Sequence, residues 1–498
     1  MQVDYIFLKL RTVSPINIGC AEVYEPTSFY MDYNTRELVH FDIGKFIELL
    51  SDNERERLSA ICKQGTPASI IQLMKFIQTT SQDLAIDGSR ILASNGFLDH
   101  HKRTLSISTH DKNRVNREIN QFQIMRTSFD PLTEKSYIPG SAIKGAIRTA
   151  VLNLRRKNAD GCRFTGRYAG RNLEEVIFGY EFPNLAADPF RLVKVSDFFP
   201  AGKCSKRIVY AIDKKKRPNK HEPGAPYQIL EIIEPESEFV GLMAIYQPVK
   251  RNIIKQPLTK DEIIEALKTF YGKEKQREEK ELSRLGVTSP QIDKGVPLRL
   301  GRHSGAECVT IEGYRHIKIM QGKGKSPKFK DHATTIWLSS DSRRPQNNSN
   351  LKPFGWTSIS ETDFESWISL TEYMDSFRKD IYLDAEKQLA QKLKIMKEEA
   401  KKREEEAKRR EEKKRLEADP EFQRKKKLKE FEATLPDSAK FPGEAASIVE
   451  KIRKVDDLEL QIQMVNILKK QYKAQIKKAM KKKKKWALAF KALEKQLN

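Results

Sequence analysis

Cysteine is scarce in this chain and scattered: Cys20, Cys62, Cys162, Cys204 and Cys308, with no CxxC pair. That excludes a zinc ribbon or a disulfide scaffold and fits a reducing, cytoplasmic setting. No apolar run approaches the roughly 18 residues that a membrane span needs. The opening stretch MQVDYIFLKLRTV has no basic n-region and no cleavage site, so neither a signal peptide nor a membrane partner is expected. Histidine is also rare, and His100-His101 and His110 lack metal-ligand spacing with any cysteine or carboxylate pair. They are read as surface residues, with no metal and no cofactor expected.

What is abundant is positive charge. The net charge is +24 over 498 residues. Residues 371–498 carry 36 Lys and Arg against 24 Asp and Glu, and residues 461–498 hold 12 basic and one acidic residue. A basic body with a very basic end suggests a polyanionic partner, most often nucleic acid; a merely solvated, soluble surface is the alternative.

The first residues alternate, with Ile6, Leu8 and Leu10 on one face and Tyr5, Phe7 and Lys9 on the other, the period of a strand. SPINIG (14–19) ends it. Strand-like pieces follow near 28–32 and 37–41, and residues 43–63 and 67–78 read as helices. Residues 258–282 form another, with Thr259 and Glu262 spaced as a capping box. Strands and loops cover about 190–360. The mixture predicts an α+β fold without a long parallel series.

Residues 384–417 change character. Acids precede bases by four residues (Glu398–Lys402, Glu399–Arg403, Glu404–Lys408), the favourable order on a helix. Apolar residues are too sparse for a coiled-coil seam. A solvated single helix is expected, stopped by Asp419-Pro420. A helix over about 446–480 has an apolar stripe that should dock on something, in cis or in trans.

The stretch YIPGSAIKGAIRTAVLN (137–153) is richest in chemistry. Pro139-Gly140 make a turn and Ser141 is a candidate N-cap. Ile143, Ala146, Ile147, Ala150, Val151 and Leu154 share one helical face and should enter a core. Lys144, Arg148 and Arg155 lie on a neighbouring face. Gly145 weakens the helix by about 1 kcal/mol relative to Ala and usually lets another backbone come close. Free N–H groups with Lys144 beside them suit a phosphate. Gly140 and Gly145 have the spacing of a nucleotide-binding P-loop, but Ala146 and Ile147 stand where Lys and Ser or Thr are required. The NTPase reading fails. An RNA backbone phosphate and a capped helix with solvated charges both remain open on this motif alone.

The longer stretch RTSFDPLTEKSYIPGSAIKGAIRTAVLN (126–153) resembles the signature of the RAMP proteins of CRISPR effector complexes, most closely the capping subunit of the type III-A Csm complexes. VPLRLGRHSGAECVTIEGYR (296–315), KPFGWTSI (352–359) and the opening strand with SPINIG match the family in the same order. The matches span about residues 3–360; the tail after about 372 has no counterpart among them. The resemblance implies tandem ferredoxin-like, RRM-like RAMP domains: 1–195 with the IPGSAIKGAIRT motif, 196–372 with a glycine-rich loop, and a charged helical extension at 373–498. It implies a non-catalytic subunit that binds the 3′ region of the CRISPR RNA, caps a filament of sister Csm backbone and small subunits, and assists CRISPR RNA maturation in antiviral defence. The residues expected to touch RNA are Ser141, Lys144, Gly145, Arg148, Arg302 and His303, with Pro139 and Gly140 forming the motif turn.

Two other functions are weighed. The loop Gly301-Arg302-His303-Ser304-Gly305 has His303 where a nucleophile elbow needs serine; His303 could instead be the base of a repeat-processing endoribonuclease, though no acid partner is identifiable. The helical tail could make the chain a scaffold that recruits a host nuclease. Glu22 and Glu25, in the loop where the related backbone subunit carries a catalytic aspartate, are read as ordinary loop acids. Residues 203–220 could form an RNA-touching hairpin or an unstructured basic loop. Residues 477–498, with Trp486, Phe490, Leu493 and Leu497 on one face beside Lys481–Lys485, could bind nucleic acid, an acidic helix or an anionic membrane.

Overall fold

The computed structural model describes residues 2–217, 226–248, 253–322 and 324–497. The chain divides into two compact units, Met1–Leu383 and Asp384–Asn498. Among the described residues no helix is long and apolar enough to cross a membrane.

The opening strand, Val3–Thr12, forms where alternation predicts it, with Ile6, Leu8 and Leu10 buried. It is central to an antiparallel sheet. On one side it pairs with Glu238–Tyr246, which pairs in turn with Val193–Val195; on the other it pairs with Trp356–Glu361, beyond which lies Val296–Arg299. The helices Gly140–Leu154 and Lys260–Arg284 pack on one face of this sheet and share its apolar core. Strand, helix, strand, strand, helix, strand, with the last strand beside the first, is the ferredoxin-like order.

The second sheet is mixed. Its path runs through Gly19–Val23, Ile124–Thr127, Tyr227–Ile233, Lys206–Lys215, Ser89–Ala93, Glu37–His40 and Phe29–Asp32, and Thr335–Ser340 also joins Lys206–Lys215. The helices Pro67–Asp83, Asn95–Leu105 and Lys112–Gln121 cover one face. The fold is α+β with a helical C-terminal extension. Each sheet takes strands from both sides of the expected boundary at 195/196, because the ferredoxin-like unit opens at residue 3 and closes only at 361.

Several local expectations are corrected. Residues 43–63 split at Leu50-Ser51, since Ser51 caps a fresh helix, Asp52–Lys63, with a reciprocal box to Glu54. Thr259 does cap its helix by accepting from the Glu262 N–H. His100 and His101 are buried, not on the surface: His100 is bonded to Tyr210 and Glu118, and His101 to the Tyr33 hydroxyl. Burial, with His100 adjoining, pushes His101 down to about 3. His110 is exposed. Residues 206–215 form a central strand, with Tyr210 wholly buried, that pairs antiparallel with the next strand, Tyr227–Ile233, as a hairpin; residues 218–220 lie outside the described residues.

In the C-terminal unit the charged helix runs to Ala418. Asp419-Pro420 ends it and immediately caps the next helix, Pro420–Ala433. The stripe over 446–480 is divided among Phe441–Arg453, Leu458–Gln471 and Lys473–Lys481, Asp457 capping the second. With Lys485–Leu497 they enclose a core of their own, where Phe441 stacks on Tyr472 at 3.8 Å and Trp486 meets it edge-on. The stripe therefore docks in cis. Trp486, Phe490 and Leu493 are buried in this core, so the apolar face that a membrane would need is already used; Lys481–Lys485 stay exposed.

One buried charge pair ties the first unit together. Arg299, fully enclosed, meets the Glu278 carboxylate and donates to the Phe354 carbonyl at 3.0 Å, while the Trp356 indole N–H donates to Glu278 at 2.7 Å. Removing one partner leaves the other charge buried and unpaired. Glu278→Ala is expected to cost the first unit roughly 3–5 kcal/mol, read as an earlier denaturant transition while that of residues 384–498 does not move.

Candidate nucleic-acid interface

Three separated sequence motifs meet at the loop after the first strand. Val13 and Ser14 donate their N–H groups to the Trp356 carbonyl, and Gly355 donates to Pro15. The Asn17 carbonyl accepts from the Arg302 N–H at 2.8 Å. The Ile18 carbonyl accepts from Ser128, and the Ile18 N–H donates to the Thr127 hydroxyl. Residues 126–128, 302 and 355–356 thus share one neighbour. Beneath it the Glu231 carboxylate, fully buried, takes Lys206 at 2.8 Å, the Tyr24 hydroxyl at 2.7 Å and the Thr127 N–H at 3.0 Å.

The glycine-rich loop is shaped by this contact. Gly301 has φ +82°, and a Cβ there would stand 2.4 Å from the Asn17 carbonyl oxygen, so only glycine fits. Arg302 is exposed and its guanidinium lies across Gly19. His303 takes φ +61°, a left-handed conformation uncommon outside glycine. Its ring stacks on Trp337 at 4.6 Å, touches Phe354, and its Nε2 meets the Gln228 amide oxygen at 3.1 Å. Burial, assisted by Arg302, lowers His303 to about 4. It is neutral near pH 7, a weak base held as a packing residue.

The motif helix, Gly140–Leu154, buries the predicted face: Ile143, Ala146, Ile147, Ala150 and Val151 are in the core, with Leu154 packed at its margin. Its start differs from expectation. Pro139, not Ser141, is the N-cap, and Ser141 lies one residue inside, exposed. The Gly140 N–H donates to the Asp197 carboxylate at 2.8 Å, so a carboxylate of the chain itself holds part of the helix N-terminus. A Cβ on Gly140 would strike the Val195 and Ser196 carbonyl oxygens, which explains the close turn. Gly145 is exposed, and a Cβ on it would meet nothing; no segment of this chain among the described residues uses the space that glycine leaves.

The charges on this helix separate into two kinds. Arg148 forks onto Glu174 (2.7 Å) and Asp188 (3.0 Å) between the Phe178 and Phe190 rings. Arg155 is held by Glu262 at 2.6 Å. Both fasten neighbouring segments to the helix. Lys144 is half-buried and donates to the Val193 carbonyl at 2.8 Å, its pKa lowered by burial and by Lys194.

A family profile described as the RAMP superfamily matches residues 9–442. The chain belongs to that superfamily. The match also extends past residue 372, beyond the resemblance read from the sequence. Two curated relatives carry the name CRISPR system Cms protein Csm5. The one from Streptococcus thermophilus is 28% identical over 229 residues, 45% of this chain and 60% of the relative. The one from Methanocaldococcus jannaschii is 27% identical over 203 residues, 38% of this chain and 42% of the relative. The chain thus spans about half the length of these curated relatives. Among solved structures, a chain of a Csm–crRNA–target RNA ternary complex of a type III-A CRISPR-Cas system aligns with TM-score 0.48 at 20% identity, covering 71% of this chain and all of that one. The crystal structure of T. onnurineus Csm5 aligns with TM-score 0.42 at 17% identity, covering 70% and 99%.

In this RAMP chain the two acids of interest near the first strand are dispersed. Glu22 lies on the strand Gly19–Val23 and points at Arg126, 3.8 Å away, while Glu25 is exposed. Among the described residues no three His, Cys, Asp or Glu side chains cluster as metal ligands. Sequence reading did not anticipate Gln228, Trp337 and Phe354 around His303, since strand order alone brings them there.

The depressed His303 carries a sign. Its folded pKa, about 4, is below the ordinary 6.5, so the unfolded chain binds the proton more readily. Its stability contribution is full above pH 6.5 and is lost as the pH falls toward 4. In His303→Asn the melting temperature should be lower at neutral pH and fall less steeply between pH 6.5 and 4, leaving the slope that the other lowered histidines, His101 and His40, supply.

Proposed function

We propose that this chain is a non-catalytic, cytoplasmic RNA-binding subunit of a type III-A Csm effector complex. In this reading it holds the 3′ region of the CRISPR RNA, caps the filament of sister subunits and assists CRISPR RNA maturation. The observation that carries it is Gly145: exposed, in the second turn of a helix, with open space over it and half-buried Lys144 beside it. A glycine that no protein atom requires and that weakens its helix fits a site where a nucleic-acid backbone comes close. Ser141 and exposed Arg302 add a hydroxyl and a fork for phosphate oxygens, a sequence-independent mode of contact. Superfamily membership and the name shared by the two curated relatives support the same reading.

Arg148 is assigned a positioning part, because its guanidinium is already committed to Glu174 and Asp188. The endoribonuclease alternative loses ground on His303, whose ring is stacked and whose basicity is low.

Gly145→Ala separates function from packing. The added methyl meets no protein atom, so the helix should gain stability, by about 1 kcal/mol, while affinity for CRISPR RNA falls. Arg302→Glu should weaken binding and flatten its dependence on salt by about one counterion. Titrating labelled CRISPR RNA, with and without its 3′ segment, into the full chain reads both. Unchanged affinity in both variants would remove the RNA assignment from these motifs.

A further inference from the structure

A second basic site lies on the opposite face of the second sheet. Tyr227 and Gln228 are neighbours on one strand, and successive side chains of a strand point to opposite faces. Gln228 meets His303 on one side. On the other, Tyr227 helps to line a cleft of about 560 Å³. The walls are the helices Asn95–Leu105 and Lys112–Gln121 and the loop that follows Thr335–Ser340. Arg103 comes from the first helix, Arg114 and Arg117 from the second, and Arg343 and Arg344 from the loop.

None of these five guanidinium groups has a carboxylate within 4.0 Å among the described residues, in contrast to Arg126, Arg148, Arg155 and Arg299. Glu118 is the one carboxylate among the lining residues, and it is engaged elsewhere: its oxygen is held by His100 Nε2 and accepts from the Thr104 hydroxyl at 3.1 Å. The His100 bond, above all, holds Glu118 below the usual carboxylate range, so it stays ionised and fixed. His100 in turn meets the buried Tyr210 hydroxyl at 2.8 Å. The floor is therefore a hydrogen-bonded block, and the rim is arginine from three separate segments. Tyr227 adds a half-buried ring with Arg343 at 5.9 Å over it and a hydroxyl that donates to Gln121.

Like charges gathered round one cleft repel each other and destabilise the free protein. An anion able to accept several forks at once relieves that repulsion, and guanidinium groups match phosphate oxygens in pairs. The volume falls within the roughly 300–1,000 Å³ of small-ligand sites, enough for a nucleotide.

We propose that this cleft is a phosphate-binding site for a nucleotide, either free or within a single RNA strand. It is distinct from the Gly145 and Arg302 surfaces and does not depend on their assignment, since its ligand is defined by phosphate groups.

The test uses the full chain and two probes: a nucleoside triphosphate without metal, and a short thiouridine-substituted RNA whose cross-linked peptides are mapped. Two variants, Arg103→Gln with Arg117→Gln and Arg343→Gln with Arg344→Gln, remove charge from opposite walls. Each pair should lower affinity for the accepted probe by roughly tenfold or more. Without ligand, melting temperatures should be unchanged or higher, because repulsion is reduced; a fold-supporting role would lower them. Triphosphate binding that both pairs weaken supports a free nucleotide. Cross-links within residues 103–121 or 341–344 that both pairs abolish support an RNA strand. Failure of both probes, indifference to both variants, or equal binding of a polyglutamate peptide would overturn the proposal.

Discussion

The fold depends on how the chain satisfies the backbone of one short loop. Residues 13–18 leave the first strand, yet their N–H and C=O groups are paired with Trp356, Gly355, Ile233, Arg302 and Ser128. Buried backbone groups must find partners, and here the partners come from segments more than a hundred residues away from the loop in sequence. The three sequence motifs are thus brought together by hydrogen bonds to a common peptide segment. Gly301 belongs to the same constraint, because its missing side chain lets the loop carbonyl of Asn17 approach. The exposed Arg302 is aimed by what lies beneath it.

Buried charge does a different job. Glu231 and Glu278 are enclosed and ionic, each surrounded by donors from distant strands. Such pairs add little net stability over apolar packing, but a misassembled sheet would leave them unpaired at high cost. The arginines that look alike in sequence divide accordingly. Arg126, Arg148, Arg155 and Arg299 are consumed by carboxylates and rings, whereas exposed Arg302 lies over Gly19 with one Nη on the Met125 sulfur at 3.6 Å, and the five around the cleft have no carboxylate within 4.0 Å among the described residues.

What was legible in the sequence is what short spacing controls. The alternation of Ile6, Leu8 and Leu10, the core face from Ile143 to Val151, the Thr259 cap and the solvated helix before Asp419 all follow from neighbours within a turn or two. The start of the motif helix did not, because its first N–H, that of Gly140, is held by Asp197, a residue with no local relation to it. Nor did the burial of His100 and His101, since two histidines among Asp and Lys look solvated until Tyr210, Tyr33 and Glu118 are folded around them. The split of the C-terminal stripe was visible in hindsight at Asp456-Asp457, where a capping residue outweighs a continuing apolar period. Of the candidate interface, the exposed glycine and arginine could be read from motifs; Trp337, Phe354 and Gln228 could not, because only strand order brings them to His303.

An unpaired arginine is informative here for a quantitative reason. The first unit has carboxylates enough to engage most of its cations, and where a guanidinium supports the fold it is forked, stacked or both, as Arg148 is. Surface ion pairs form readily and contribute little, so an isolated cation needs no explanation. Several in one concave place do, since a single acidic substitution among them would relieve the repulsion and the local scaffold, held by His100, Tyr210 and Glu118, would tolerate it. In the reading proposed above, the counter-charge of this cleft arrives with a ligand. Under the proposed function Gly145 is read the same way: alanine would fit its position, and the open space over it suits atoms from outside the chain.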